Sequence, residues 1–173
     1  MFNHNRVRDH IPEIVKLRPA KLKDLHRIEY IMHEAGKLHP ETYRHPVLFI
    51  NTLDAILYHL AFVAVDKKDR TIAFVLFDNL PERKMANYIP KNSLKLANTA
   101  VSPQYQGKHL EYRLACYGLT HCKYVNTSDY AWCVIHPDNI ASIKSLTAAG
   151  FCLVYKNVDY GYGIRNLYVQ KLR

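Results

Sequence analysis

No stretch of this 173-residue chain approaches the roughly 20 apolar residues that a membrane span needs, which argues against an integral membrane protein. Met1 to His10 is polar and basic with no apolar stretch behind it, so no secretory signal is expected and the cytoplasm is the expected compartment. Cysteine is sparse and dispersed: Cys116, Cys122, Cys133 and Cys152 form no CxxC pair. Each falls inside a predicted helix or strand, where free Cys usually behaves as a small core residue, so neither a disulfide framework nor a zinc site is expected. The ten histidines are scattered as well, and His39 and His45 are too far apart to form a ligand pair on one helix face. The chain has no internal repeat and no low-complexity segment.

What the chain does have is the make-up of an ordinary soluble domain, 49% hydrophobic and 23% charged. Its length suits one domain with a real core. Its net charge of +9 calls for partners of opposite sign. The cations are spread (Lys21, Lys23, Arg27; Lys67, Lys68, Arg70; Arg83, Lys84) rather than gathered in one tract. A solvated basic surface, a nucleic-acid partner and a strongly anionic cofactor all remain open on charge alone.

Residues 1–13 read as a flexible lead-in to a single domain at 14–173. A short strand is expected at Ile14 to Leu17. Leu22, Leu25, Ile28, Met32 and Ala35 recur at helical spacing, which predicts a helix over Lys21 to Gly36. After the His39-Pro40 break, Pro46 is placed to open a second helix running to about His59. Ala61–Val65 and Thr71–Phe77, joined by Asp66-Lys67-Lys68-Asp69, read as an antiparallel hairpin. Residues 78–93 form a loop or insertion. A strand at Leu94–Val101, a helix to about Cys122, a strand at Tyr130–Ile135 and a helix at Asn139–Ala149 follow. Two last strands, near Cys152–Val158 and Arg165–Lys171, flank a Gly-rich connection. This order predicts an α/β domain built on a mixed sheet with helices on both faces.

Two segments could carry chemistry. Thr99-Ala100-Val101-Ser102-Pro103-Gln104-Tyr105-Gln106-Gly107-Lys108-His109-Leu110-Glu111 is a strand, a Pro- and Gly-containing turn, and a helix start. Such a turn aims backbone amides outward at the positive end of a helix, a setting suited to phosphate or pyrophosphate, and Gly107 lets main chain approach a ligand closely. Any strand-to-helix loop has some free amides, so this reading does not stand alone. In the second segment Asn139 is a good N-cap, Ile140, Ile143 and Leu146 line one helix face, and Gly150-Phe151 closes the helix. A well-capped helix between two strands accounts for every residue there.

As an ordered pair about 30 residues apart, the two segments resemble the GNAT superfamily of N-acetyltransferases. Leu17-Arg18-Pro19-Ala20 with Asp24-Leu25 also looks like the start of many members, so the resemblance spans about residues 14 to 172. It implies a GNAT-like acyltransferase fold with a mostly antiparallel central sheet. It also implies acetyl-CoA as co-substrate and transfer of its acetyl group to a primary amine of a small molecule, peptide or protein. Carried over by position, Thr99, Ala100 and Val101 would pair with the pantetheine arm like an added strand. The amides of Gln106, Gly107, Lys108, His109, Leu110 and Glu111 would hold the pyrophosphate, and Asn139 and Ser142 would contact the pantetheine or the acceptor side. A homodimer is a reasonable expectation for the family, and no metal is implied.

The chain departs from the pattern at His109, usually Gly, at Glu111, usually Gly or Ala, and at Leu146, where a Tyr general acid often stands. No carboxylate occupies strand 94–101, and Val134 stands where some relatives carry Glu. Water-relayed deprotonation of the amine is then the default. Because a thiolate leaves readily near its own pKa, about 8.5 for free Cys, a missing general acid need not abolish turnover. Substitute proton donors are Tyr160 and Tyr162 in the Gly-flanked loop, with Ser142 a further candidate, although a surface turn explains the tyrosines equally. A catalytically silent acyl-CoA sensor of the same fold is the alternative. A nucleic-acid module, resting only on charge, lacks any basic groove-reading helix. For the acceptor, Glu41, Asp54, Asp78 and Glu82 could receive a cationic amine, while Lys84, Arg44 and Arg165 could hold an anionic group.

Overall fold

A computed structural model of the chain describes residues 16–38, 49–79, 86–161 and 163–173. The lead-in at 1–13, Ile14, the His39-Pro40 break, Glu41, Arg44, Pro46, Glu82, Lys84 and Tyr162 lie outside the described residues. In chain order the elements are β1 (Lys16–Pro19), α1 (Leu25–Leu38), α2 (Phe49–Leu57), β2 (Ala61–Val65), β3 (Thr71–Asp78) and β4 (Ser93–Val101). They are followed by α3 (Leu110–His121), β5 (Tyr130–Ile135), α4 (Ile140–Ala148), β6 (Cys152–Asp159) and β7 (Ile164–Lys171).

The strands form one sheet in the order β1-β2-β3-β4-β5-β7-β6. Every neighbouring pair is antiparallel except β4 with β5. The mixed, mostly antiparallel sheet expected from the sequence is therefore present. Its helices cover both faces. The Asn98 amide reaches the Met32 sulfur of α1, and Asn98 is paired with Leu76 across β3 and β4, so α1 lies on their face. Phe77, one residue on, points to the opposite face and touches Gly118 of α3.

Strand ends differ from expectation in ways the sheet explains. β1 runs on through Arg18 to Pro19, which pairs with Phe62. As an edge strand it tolerates a proline that has no amide to donate. The first helix begins as a 3-10 turn at Leu22–Asp24 and extends past Gly36 to Leu38. Its entrance is locked by Asp24, which is buried and accepts from Arg18 Nη1 (2.7 Å) and Nη2 (3.0 Å), the Lys21 amide (2.8 Å) and Thr71 Oγ1 (2.8 Å).

The cysteine expectation needs one correction. Cys122 and Cys133 are buried and Cys116 is half-buried, but Cys152 is exposed. It opens β6, the outermost strand, whose residues 152–157 are all exposed, so a strand position there confers no burial. Among the described residues no group of three or more His, Cys, Asp or Glu could hold a metal ion, and no helix is long and apolar enough to cross a membrane.

Candidate active site

The one parallel pairing in the sheet is also its weakest seam. β4 and β5 are paired only at Ser93 with Tyr130, Leu94 with Ala131 and Lys95 with Trp132. Beyond Lys95, β4 stays bonded to β3 as far as Val101, while β5 stays bonded to β7 as far as Ile135. The two strands thus part into a wedge, and one edge of β4 is left without a strand partner over residues 96–101. A bulge sits just past the seam: Leu76 pairs with Asn98 and Phe77 with Leu96, so Ala97 is the extra residue on β4. Bulges bend a strand and re-aim its groups, and they recur beside active sites.

At the open end of the wedge lies a cavity of about 480 Å³. It is lined by Thr99, Ala100 and Val101 from β4, by Gln106, Gly107, His109, Leu110 and Glu111 from the loop and the start of α3, and by Asn139 and Ser142 at the start of α4. The structure thus gathers ten of the eleven residues singled out from the sequence. Lys108 does not line the cavity; its Nζ lies 5.2 Å from the centre of the Tyr105 ring at the rim. Sequence reasoning missed Ala35 of α1, Tyr105 of the loop, and Ala141, Lys144 and Ser145 of α4 as lining residues. Helical spacing from Ser142 was the signal available for Ser145, one turn later on the same face.

The backbone around the loop is held open. Among the described residues, the amides of Gly107, Lys108, His109, Leu110, Glu111 and Tyr112 donate to no backbone carbonyl, and the first bond of α3 runs from Arg113 N–H to His109 O at 3.1 Å. Gly107 has φ of 74°, and a Cβ there would meet nothing within 4 Å, so its conformation and not crowding requires glycine. His109, the N-cap of α3, is left-handed too, at φ 56°. Unpaired amides at the positive end of a helix form an anion site. Asn139 caps α4 as expected, its side chain accepting from the Ser142 amide at 3.2 Å.

Among the described residues, Glu111 is the only acidic one lining this cavity. Its Oε1 is fully enclosed and has no hydrogen-bond partner. Burial pushes its carboxyl above the usual range, and the hydroxyls of Ser142 and Ser145 offset this only in part. Cys133, buried on β5, has its thiol pushed up by burial and further by the neighbouring Glu111 charge.

On the α1 face of the same strand lies a second cavity of about 510 Å³. Lys95, Ala97 and Asn98 of β4 line it, with Asn51 and Asp54 from α2, Tyr58 from the turn after it, and Leu76 and Asp78 from β3. Of the acids named for a cationic acceptor, Asp54 and Asp78 are therefore brought together, whereas the described cation Arg165 lines neither cavity. Tyr160 is not a surface-turn residue. It is 3% exposed, packs with Trp132, Val158 and Leu167, and accepts a 2.6 Å hydrogen bond from Lys95 Nζ. That ammonium also lies 5.2 Å from the Trp132 ring and 5.3 Å from the Tyr160 ring. Lys95, a buried cation at the vertex of the wedge, escaped sequence reasoning because a single Lys in a strand looks solvated. Leu146 is buried in the core at 2% exposure and offers no proton.

No family model matches the sequence, and no curated protein does. Solved structures do resemble it. A GNAT-family acetyltransferase from Streptococcus agalactiae superposes with a TM-score of 0.69 at 17% identity, covering 91% of this chain and 95% of its own. A GNAT-superfamily phosphinothricin acetyltransferase from Sinorhizobium meliloti, solved in complex with acetyl-CoA, gives 0.69 at 19% identity over 91% and 88%. The ribosomal-protein-S5-alanine acetyltransferase from Vibrio fischeri gives 0.65 at 21% identity over 90% and 91%. Parted β4 and β5, an open amide loop at the start of α3 and near-complete superposition agree: the chain has the fold of the GNAT acetyltransferases.

Proposed function

We propose that this protein transfers an acetyl group from acetyl-CoA to a primary amine. The observation that carries the reading is the run of six amides, 107–112, that donate to no backbone carbonyl and stand beside an unpaired strand edge. Acetyl-CoA fits this arrangement, because its pyrophosphate needs donors and its pantetheine arm carries amides that can add to a strand edge. When bound, it supplies the activated acetyl thioester.

The chain's own residues then have definable tasks. Residues 107–112 hold the pyrophosphate, with Gln106 and the Lys108 side chain at the rim. Thr99, Ala100 and Val101 pair with the pantetheine, and Asn139 and Ser142 border it from α4. The bulge at Ala97 turns β4 where the two cavities approach one another, so an amine arriving through the second cavity meets the acetyl group near the wedge vertex. Asp54 and Asp78 draw in a protonated amine, which must lose its proton, in the absence of any carboxylate on β4, to water. As the new C–N bond forms the C–S bond breaks, and the thiolate takes a proton. Tyr160, held by Lys95, is the candidate donor for that step; Ser142 and Tyr162 are the other candidates.

The burial of Leu146 and the absence of an acid on β4 favour a second reading, an acyl-CoA-binding protein without turnover. Thermal-shift titration with acetyl-CoA and CoA, followed by thiol release with a panel of amines, separates the two. Ligand at about 100 Kd should add roughly 2.7 kcal/mol of stability. A shift with thiol release supports the enzyme, a shift without release supports the silent binder, and no shift at millimolar ligand sinks both.

A further inference from the structure

The cofactor cavity contains a group that its proposed occupant should repel. Glu111 lies in the first turn of α3, among the amides assigned above to the pyrophosphate. The helix dipole there favours a carboxylate. Enclosure opposes it: Oε1 is sealed from solvent without a partner, and Glu111 is in no ion pair among the described residues. Burial prevails, holding the carboxyl above its usual range. The surrounding groups can be named element by element. Ser142, Ser145 and Lys144 come from α4, His109 from the loop and Cys133 from β5. None of these cations is near enough to neutralise Glu111 directly, and bringing an anion to the amides of its own turn disfavours the ionised form further.

We propose that Glu111 meets the cofactor as a neutral carboxylic acid, so that acyl-CoA binding to this chain takes up a proton at Glu111. The inference rests on the acyl-CoA reading of the cavity. The proton comes from solvent and stays on the carboxyl while the cofactor is bound, removing a charge that would repel the pyrophosphate. Affinity is then constant at low pH, where the free protein already holds the proton. It falls as pH rises through the free protein's titration, by at most about tenfold per pH unit for a single proton. A cofactor site of this kind loads more readily when the surroundings acidify.

The test is calorimetric titration of CoA into the full chain at several pH values, in two buffers of different ionisation enthalpy, for the wild type, Glu111→Gln and His109→Gln. Dephospho-CoA, which lacks the titrating 3′-phosphate, is titrated in parallel. The expected result is uptake approaching one proton in the wild type and in His109→Gln with either ligand, and its loss in Glu111→Gln, together with the pH dependence of Kd. Uptake that persists in Glu111→Gln but vanishes in His109→Gln overturns the proposal in favour of the imidazole, and uptake seen only with CoA assigns it to the ligand's phosphate. Binding without any proton uptake overturns it outright while leaving the acyl-CoA reading intact, whereas absence of binding to the wild type removes that reading itself. Glu111→Ala provides a second variant should the glutamine disturb the α3–α4 contact, and it too should bind CoA without uptake.

Discussion

Two side chains show how this chain pays locally for its shape, one in strain and one in buried charge. His109 takes a left-handed conformation where the GNAT pattern it resembles usually has glycine. A non-glycine residue there costs about 1–2 kcal/mol, while a glycine costs roughly 0.5–1 kcal/mol in unfolded-state entropy. His109→Gly should therefore stabilise the protein by about 0.5–1 kcal/mol, read as a raised urea midpoint with unchanged slope, and should not weaken CoA binding. A loss of stability would mean that the imidazole makes a compensating contact. Asp24 is the reverse case. Burial opposes its charge, but hydrogen bonds from Arg18, the Lys21 amide and Thr71 prevail and hold its carboxyl below the usual range. A lowered native value means its stabilisation is complete above the ordinary aspartate range and is lost as pH falls through the native value. Asp24→Asn leaves the buried Arg18 guanidinium with Asp69, 46% exposed, as its remaining carboxylate partner and should cost about 1–3 kcal/mol at pH 7, with the gap to wild type narrowing in acid unfolding curves. Both positions were visible in the sequence, His109 as a departure and Arg18 with Asp24 as a familiar opening. Neither the handedness of one nor the pairing of the other could be read there, because both depend on where distant backbone arrives.

Among the elements, α3 does most to place the cofactor loop, since it carries the open amides at one end and packs on the sheet along its length. That packing is close at Gly118. A Cβ there would lie 2.3 Å from Phe77 Cε2 and 3.3 Å from Phe62 Cδ2. Phe77 has little room to yield, because its ring already meets Phe62 edge-on at 6.1 Å and Phe62 meets Tyr117 at 5.8 Å. Replacing a helical glycine by alanine gains up to about 1 kcal/mol of propensity, whereas overpacking a core costs about 1–3 kcal/mol. Gly118→Ala should thus be net destabilising by about 1 kcal/mol and, by lifting α3 off β3, should weaken CoA binding as well. Stability lost without any change in affinity would show that the loop keeps its geometry independently of the helix behind it. Element positions themselves were legible: β2 and β5 run over the predicted residues, and α3 and α4 end within one residue of expectation. Their hydrophobic periods and caps are local properties. The bulge at Ala97, the short β4–β5 seam and the exposure of β6 are relations between strands, which no local pattern of one strand records.

Across the whole molecule, the wedge makes one strand serve two chambers. Residues 99–101 line the first and residues 95, 97 and 98 the second, so ligands in both would approach one another along β4. In the reading proposed above, acceptor choice comes from the walls of the second chamber. In this chain, despite a net charge of +9, the described residues of those walls include Asp54 and Asp78 against one cation, Lys95, which is already engaged with Tyr160. A bisubstrate ligand in which the CoA sulfur is joined through a short acetyl linker to a diamine tail should therefore occupy both chambers at once. If its linker spans the wedge it should bind roughly 10²–10⁴-fold more tightly than CoA, measured by calorimetry. An uncharged tail of equal length should gain less, and Asp54→Asn should bring the diamine ligand down toward the uncharged one while leaving CoA affinity unchanged. Equal affinity for the tailed ligand and CoA would mean that the chambers do not communicate past Ala97. A gain that survives with the uncharged tail would locate the acceptor's binding energy in Leu76, Tyr58, Phe77 and Tyr124 rather than in the carboxylates.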